Sequence, residues 1–209
     1  MSQTKPNDTR QAVIDAATTL FGQHGFRGAS VREICTRAGA SANAITYHFG
    51  SKESLYHHIL DSFASLQLEH AKTLAADPRS IEEFEVRFEL FYEQLLDAYI
   101  ENRETILIFF RQFEQLVGND RHDGVIGEMV KTSDAIAAFI RRAMALGFVK
   151  PDVDPDIVAG LLVDRLLNQA RFVGAHDVLF STSTLDPEYR AHWVRATLGI
   201  VFNGIRGTG

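Results

Sequence analysis

Between Ser30 and Glu53 the sequence SVREICTRAGASANAITYHFGSKE sets two short helical segments on either side of a glycine. Val31, Ile34, Cys35 and Ala38 fall at i, i+3, i+4 and i+7, which predicts one buried face on the first segment. Ser30 and Glu33 stand three apart, the spacing of a capping box. Gly39 is the stop, because the turn that follows needs a left-handed residue and glycine adopts it at little cost. Ser41 is the expected cap of the second segment, with Ile45 and Phe49 pointing inward. A helix of barely two turns is unstable in isolation. Neighbouring helices must therefore hold it.

The outward residues of that second segment carry the chemistry. Ser41, Asn43, Thr46, Tyr47 and His48 are polar or hydrogen-bonding in type, and Asn43, Thr46 and Tyr47 share a face. A helix–turn–helix offers its second helix to the major groove of DNA in this way. Thr46, Tyr47, His48 and Lys52 are the expected phosphate contacts, the alternative being an ordinary solvated helix end. Ala42, Asn43 and Ala44 are the candidates for base edges: an asparagine pairs with adenine bidentately, and a methyl group meets the thymine methyl. Asn43 bonded only to backbone or phosphate is the competing reading. Ser51 caps the next helix, whose free N–H groups and Lys52 suit a phosphate.

The words LFGQHGFRGAS, VREICTRAGAS and ITYHFGSKESLY, spanning roughly residues 9 to 60, together resemble the DNA-binding region of the tetracycline-repressor-like (TetR) regulators. Asn43 stands where many relatives have glycine, Thr46 where many have tyrosine, and Cys35 where alanine is usual. These departures concern the reading surface more than the scaffold. The resemblance implies the same phosphate-contact positions. It also implies a helix–turn–helix domain over residues 8–66, with its reading helix at about 41–48. A larger helical domain over 67–209 would bind an effector and dimerise. The function implied is a repressor that binds a palindromic operator as a homodimer and is released by a small molecule.

Net charge agrees once it is divided along the chain. The total is −6, yet residues 1–70 hold six basic and six acidic residues. Arg27, Arg32, Arg37 and Lys52 face only Glu33 within the motif, a local excess of +3. The remaining acidity should keep DNA off the other faces. MSQTKPNDTR lacks the apolar core of a signal peptide, and no apolar run approaches the roughly 20 residues that span a bilayer. A single cysteine fits a reducing cytoplasm. A cytoplasmic protein without membrane contact is the expectation.

Helical periodicity continues to the end, predicting an all-α chain of about nine helices. Val13, Ala16, Ala17, Leu20 and Phe21 line a first helix that closes at Gly25. A fourth, from Lys52 to about Ala76, sets Leu55, Ile59, Phe63 and Leu66 on one side. Ser80 with Glu83 opens a fifth, and Gly118-Asn119-Asp120 closes a sixth. Asp154-Pro155 and Asp186-Pro187 read as cap-plus-proline starts of an eighth and a ninth.

Phe88, Phe91, Phe109, Phe110, Phe113, Phe139 and Phe172, with Arg111 and Asn168 as polar groups, are the candidate lining of a pocket for an apolar or aromatic effector. An aromatic stripe is also what plain core looks like, and the resemblance favours the pocket. Leu162, Leu166, Trp193, Ile200 and Val201 are the candidate dimer interface on the last two helices, against the alternative that they close the monomer. His57-His58 and His122/Asp123 lack the separation of ligands on one helix face, so no metal site is expected. No catalytic residue or cofactor is implied, because nucleophile elbow, phosphate loop and paired carboxylates are missing. The runner-up is a helical ligand-binding or scaffold protein without sequence-specific DNA binding.

Overall fold

A computed structural model describes residues 6–116, 125–173, 175, 178 and 182–205, the side chains of 6–7 and 112–129 excepted. Its described helices are α1 (Pro6–Gly28), α2 (Val31–Arg37), α3 (Ala44–Phe49), α4 (Lys52–Ala71), α5 (Ile81–Glu101), α6 (Arg103–Leu116), α7 (Val125–Ala145), α8 (Pro155–Arg171) and α9 (Pro187–Ile205). A 3-10 turn, Lys72–Leu74, follows α4, which ends earlier than its sequence suggests. Among the described residues no strand forms. The 118–120 break, the His122/Asp123 pair and the side chain of Phe113 lie outside the described residues.

The chain divides into two compact units, Met1–Ala64 with Asn102–Val125, and Ser65–Glu101 with Ile126–Gly209. Helix α6 thus belongs with the N-terminal helices, a grouping that local periodicity does not encode. In the first unit, Val13, Ala16, Ala17, Leu20 and Phe21 of α1 are buried as the stripe requires. Regular helix breaks at Gly25, whose φ of 73° only glycine adopts cheaply. Tyr56 completes the core: its ring lies edge-on to Phe21 at 5.1 Å and to Phe26 at 5.0 Å.

The second unit is built on α5. Phe84, Phe88 and Phe91 are buried along it, and Phe139 of α7 packs on Phe84 at 5.1 Å and on Phe88 at 6.2 Å. Phe202 of α9 closes the cluster, 5.8 Å from Phe84. Tyr92 stacks on Trp193 and donates its hydroxyl to the Leu162 carbonyl at 2.9 Å. The starts of α8 and α9 are as the sequence reads: Asp154 accepts from the N–H of Asp156 and Ile157, and Asp186 from that of Glu188.

Two stripe assignments are corrected. Val31 is 38% exposed, because Ile34 and Cys35 alone fill the space under α2. Leu66 is 40% exposed, while its neighbour Gln67 is buried. The side-chain oxygen of Gln67 accepts from the hydroxyls of Tyr99 and Thr132, each at 2.9 Å. Two distant donors make burial of the amide cheaper than its type suggests.

Candidate nucleic-acid interface

Helix α2 is fixed first. The Ser30 hydroxyl accepts from the Glu33 N–H at 3.1 Å, and the Glu33 carboxylate takes the Ser30 N–H at 2.9 Å. The Ser30 hydroxyl also donates to that carboxylate at 2.7 Å, and this bond, then the one from the Ser30 N–H, hold the Glu33 carboxyl below its ordinary range. Gly39 then turns the chain at φ 62°. The turn is longer than its sequence suggests: Asn43, not Ser41, is the N-cap of α3, and its side chain makes no capping bond. Ser41 instead accepts from Ala44 N–H through its backbone carbonyl, at 3.0 Å. Cys35 lies under this turn, its Sγ 3.9 Å from the Ala42 carbonyl oxygen.

The reading helix is consequently six residues, Ala44–Phe49. Ile45 is 1% exposed and Ala44 4%, so these two anchor it. Burial takes Ala44 off the base-reading surface, a correction to its assignment. Ala42 and Asn43 remain exposed in the turn just before the helix, and Thr46 is exposed on it. Tyr47 is 82% exposed, its ring edge-on to that of the half-buried His48 at 4.8 Å. Tyr47 and Thr46 thus project outward side by side from a helix anchored beneath by Ile45. From Ile34 through Lys52 no acidic residue occurs.

Lys52 departs from its expected role as a free arm. Its ammonium donates to the carbonyl oxygens of Phe26 at 2.7 Å and Ala29 at 2.8 Å, and lies 4.3 Å from the Phe26 ring centroid. Two of its three N–H bonds tie down the α1–α2 connection, leaving one for a phosphate. Ser51 caps α4 as expected, accepting from the Ser54 N–H at 2.9 Å. Sequence reading missed a clasp behind the reading helix. The Arg10 guanidinium lies 2.9 Å from His58 Nε2 and 5.0 Å from the centroid of the Phe49 ring.

The candidate effector residues fall in different settings. Phe88, Phe91 and Phe139 are core of the second unit, whereas Phe109 packs on Phe63 in the first, 5.7 Å away. Phe110 is half-buried. Arg111 is turned onto α1 backbone, donating to Gly22 and Gln23 carbonyl oxygens. Asn168 is exposed and bonds the Asp164 carbonyl on its own helix, and Phe172 is 44% exposed. Arg111, Asn168 and Phe172 are therefore removed from an enclosed lining.

Of the candidate dimer residues, Leu162 and Leu166 are fully buried and Trp193 is 9% exposed, so they are core of their own unit. Val201 is half-buried and Ile200 is 77% exposed. Ile157 and Leu161, 70% and 55% exposed, share a face of α8. A Cβ added at Gly160 or Gly199 would meet nothing within 4 Å.

No helix among the described residues is long and apolar enough to cross a membrane. Residues 13–59 match the family model for bacterial regulatory proteins, tetR family. The transcriptional repressor AcnR of Corynebacterium glutamicum is 42% identical over 52 residues, 25% of this chain and only 28% of AcnR's length. The transcriptional repressor KstR2 of Rhodococcus jostii is 26% identical over 156 residues, 74% of each protein. The solved structure of the ketosteroid transcriptional regulator KstR2 of Mycobacterium tuberculosis has the same fold, with a TM-score of 0.72 over 99% of this chain and 97% of that one at 18% identity. Residues 13–59 therefore carry the DNA-binding region of the tetR family of bacterial regulatory proteins, and the chain as a whole has the fold of the ketosteroid regulator.

Proposed function

We propose that this protein is a ligand-responsive transcriptional repressor that binds a two-fold symmetric operator as a homodimer and releases it on binding a small effector. The observation that carries the reading is the exposed row of Asn43 at the N-cap and Thr46 and Tyr47 on the six-residue helix behind it, anchored from beneath by Ala44 and Ile45. Side chains so exposed take no part in the buried core, and their chemistry suits DNA. The flanking basic excess supports the same reading, as do the two repressors with matching sequence.

Thr46, Tyr47 and His48 meet phosphates, and Lys52 reaches one with its remaining N–H. Ala42 and Asn43 meet base edges. A second copy of the chain docks on the exposed apolar residues of α8 and α9, since one short reading helix gives little specificity and two-fold sites give more. The effector is apolar or aromatic, in keeping with the phenylalanine-rich second unit and with the similarly folded KstR2 being a ketosteroid transcriptional regulator.

Selection of bound duplexes from a random pool tests the reading. A palindromic consensus is expected, bound with a slope of log K against log salt of roughly −7 if each subunit meets about four phosphates. Asn43→Ala should relax preference at one base position per half-site, whereas Tyr47→Phe should weaken all sequences alike. No enrichment, or a slope near zero, would leave a helical ligand-binding protein without sequence-specific DNA binding.

A further inference from the structure

Three elements meet behind the C-terminal end of the reading helix. Arg10 comes from α1, Phe49 from α3 and His58 from α4. The Arg10 guanidinium stands 2.9 Å from His58 Nε2 and 5.0 Å from the Phe49 ring centroid, and the Phe49 and His58 rings are 5.6 Å apart. Phe49 is half-buried, so packing alone does not immobilise it. A helix of six residues has no rigidity of its own, and its direction is set by whatever grips its two ends. Ala44 and Ile45 grip the first end; the cation on the Phe49 face grips the other.

We infer that Arg10 and His58 are positioning residues for DNA recognition, holding Phe49 and so aiming the reading helix. This role rests on the DNA-binding function proposed above. An arginine only donates, so His58 must present a bare Nε2 lone pair with its proton on Nδ1. Protonated His58 has no acceptor left and sets a second cation against Arg10. The guanidinium must then move, and Phe49 loses its cover.

The charged groups acting on His58 are Arg10 across the bond and Asp61 one turn along α4; burial and Arg10 lower its pKa from 6.5, and Asp61 opposes them. Folded His58 therefore binds its proton less readily than the unfolded chain does. The clasp is whole above the ordinary histidine value and is lost as pH falls through the lowered one.

The test uses the full-length protein and duplexes that the wild type selects from a random pool. Affinity is measured by fluorescence anisotropy from about pH 7.5 to about pH 5 on wild type, His58→Gln, His58→Lys and Arg10→Gln. Glutamine places an amide oxygen near the Nε2 position and does not titrate. His58→Gln should keep near-wild-type affinity at the upper pH and lack the acid loss. His58→Lys and Arg10→Gln should lose about tenfold throughout, the deficit expected if about a tenth of molecules hold a competent reading helix. NMR of the free proteins gives a readout independent of DNA. Phe49 ring signals should follow the His58 titration in the wild type and be pH-independent in His58→Gln.

Parallel pH profiles for wild type and His58→Gln, or Phe49 signals blind to His58, would overturn the inference. A wild type that binds no duplex at any pH would overturn the proposed function, and the positioning role with it. The two failures are therefore distinct.

Discussion

Arg111 donates from Nε to the carbonyl oxygen of Gly22 across 2.8 Å, and its Nη2 reaches the Gln23 carbonyl at 2.7 Å. These carbonyls belong to the turn of α1 that ends at the Gly25 kink, where the helix dipole is negative and a cation is favoured. A side chain on α6 thus caps α1. Gly22 permits the approach: a Cβ there would stand 3.0 Å from the Glu104 backbone oxygen. Arg111→Ala should lower unfolding free energy by about 1–2 kcal/mol, and Arg111→Lys should recover less than half, since one ammonium replaces a two-pronged donor. Urea denaturation followed by circular dichroism measures both.

Lys52 makes a similar inward connection. Lys52→Met keeps an unbranched apolar stem and removes the ammonium, with its contact to the Phe26 ring and its two charge-assisted bonds to the Phe26 and Ala29 carbonyls. A loss of about 2 kcal/mol is expected, with weaker binding to every DNA sequence. An unchanged salt slope would show that Lys52 acts through the scaffold, and a slope reduced by nearly two units, one phosphate per subunit of the dimer at about 0.9 each, that it also holds a phosphate.

Gln67 gives a cycle that separates satisfaction from packing. Gln67→Leu takes the shared acceptor from the buried Tyr99 and Thr132 hydroxyls and should cost about 2–4 kcal/mol. Adding Tyr99→Phe and Thr132→Val to that variant should restore most of the loss, because no donor is then stranded. Additive losses across the triple variant would contradict this account.

Much of the architecture was legible before any coordinates. The Ser30–Glu33 capping box, the cap-plus-proline starts and the α1 stripe are local patterns that survive in the folded chain, whereas the Glu83 carboxylate turns to Arg79 and leaves the Ser80 box half made. What could not be read depends on partners far along the sequence. Gln67 looks like a surface residue until Tyr99 and Thr132 arrive 32 and 65 positions later. Arg111 and Lys52 look like arms for a ligand or a phosphate until carbonyls 89 and 26 residues away claim them. On α8 and α9 the apolar residues face two ways, and periodicity alone cannot say which side meets its own core. Leu162 and Trp193 went inward, and Ile157 and Ile200 went outward.

That division predicts opposite phenotypes on neighbouring turns. Ile200→Asp should leave the melting profile of the subunit close to wild type at low concentration while abolishing a dimer. Trp193→Ala should cost about 3–5 kcal/mol, because it empties a site stacked on Tyr92. Sedimentation equilibrium and thermal denaturation, run on both variants, check the contrast. A dimer intact in Ile200→Asp would locate the association surface elsewhere.

Cys35 is the chain's one cysteine, 3% exposed beneath the turn that leads into the reading helix. A thiol so placed reacts with an alkylating reagent only in molecules where α2 and that turn have parted. Its labelling rate is therefore a clock for the breathing of the DNA-reading head, carried by the protein without any added probe. Duplex that clamps the turn shut should slow this clock, and excess reagent should inactivate only the molecules caught open.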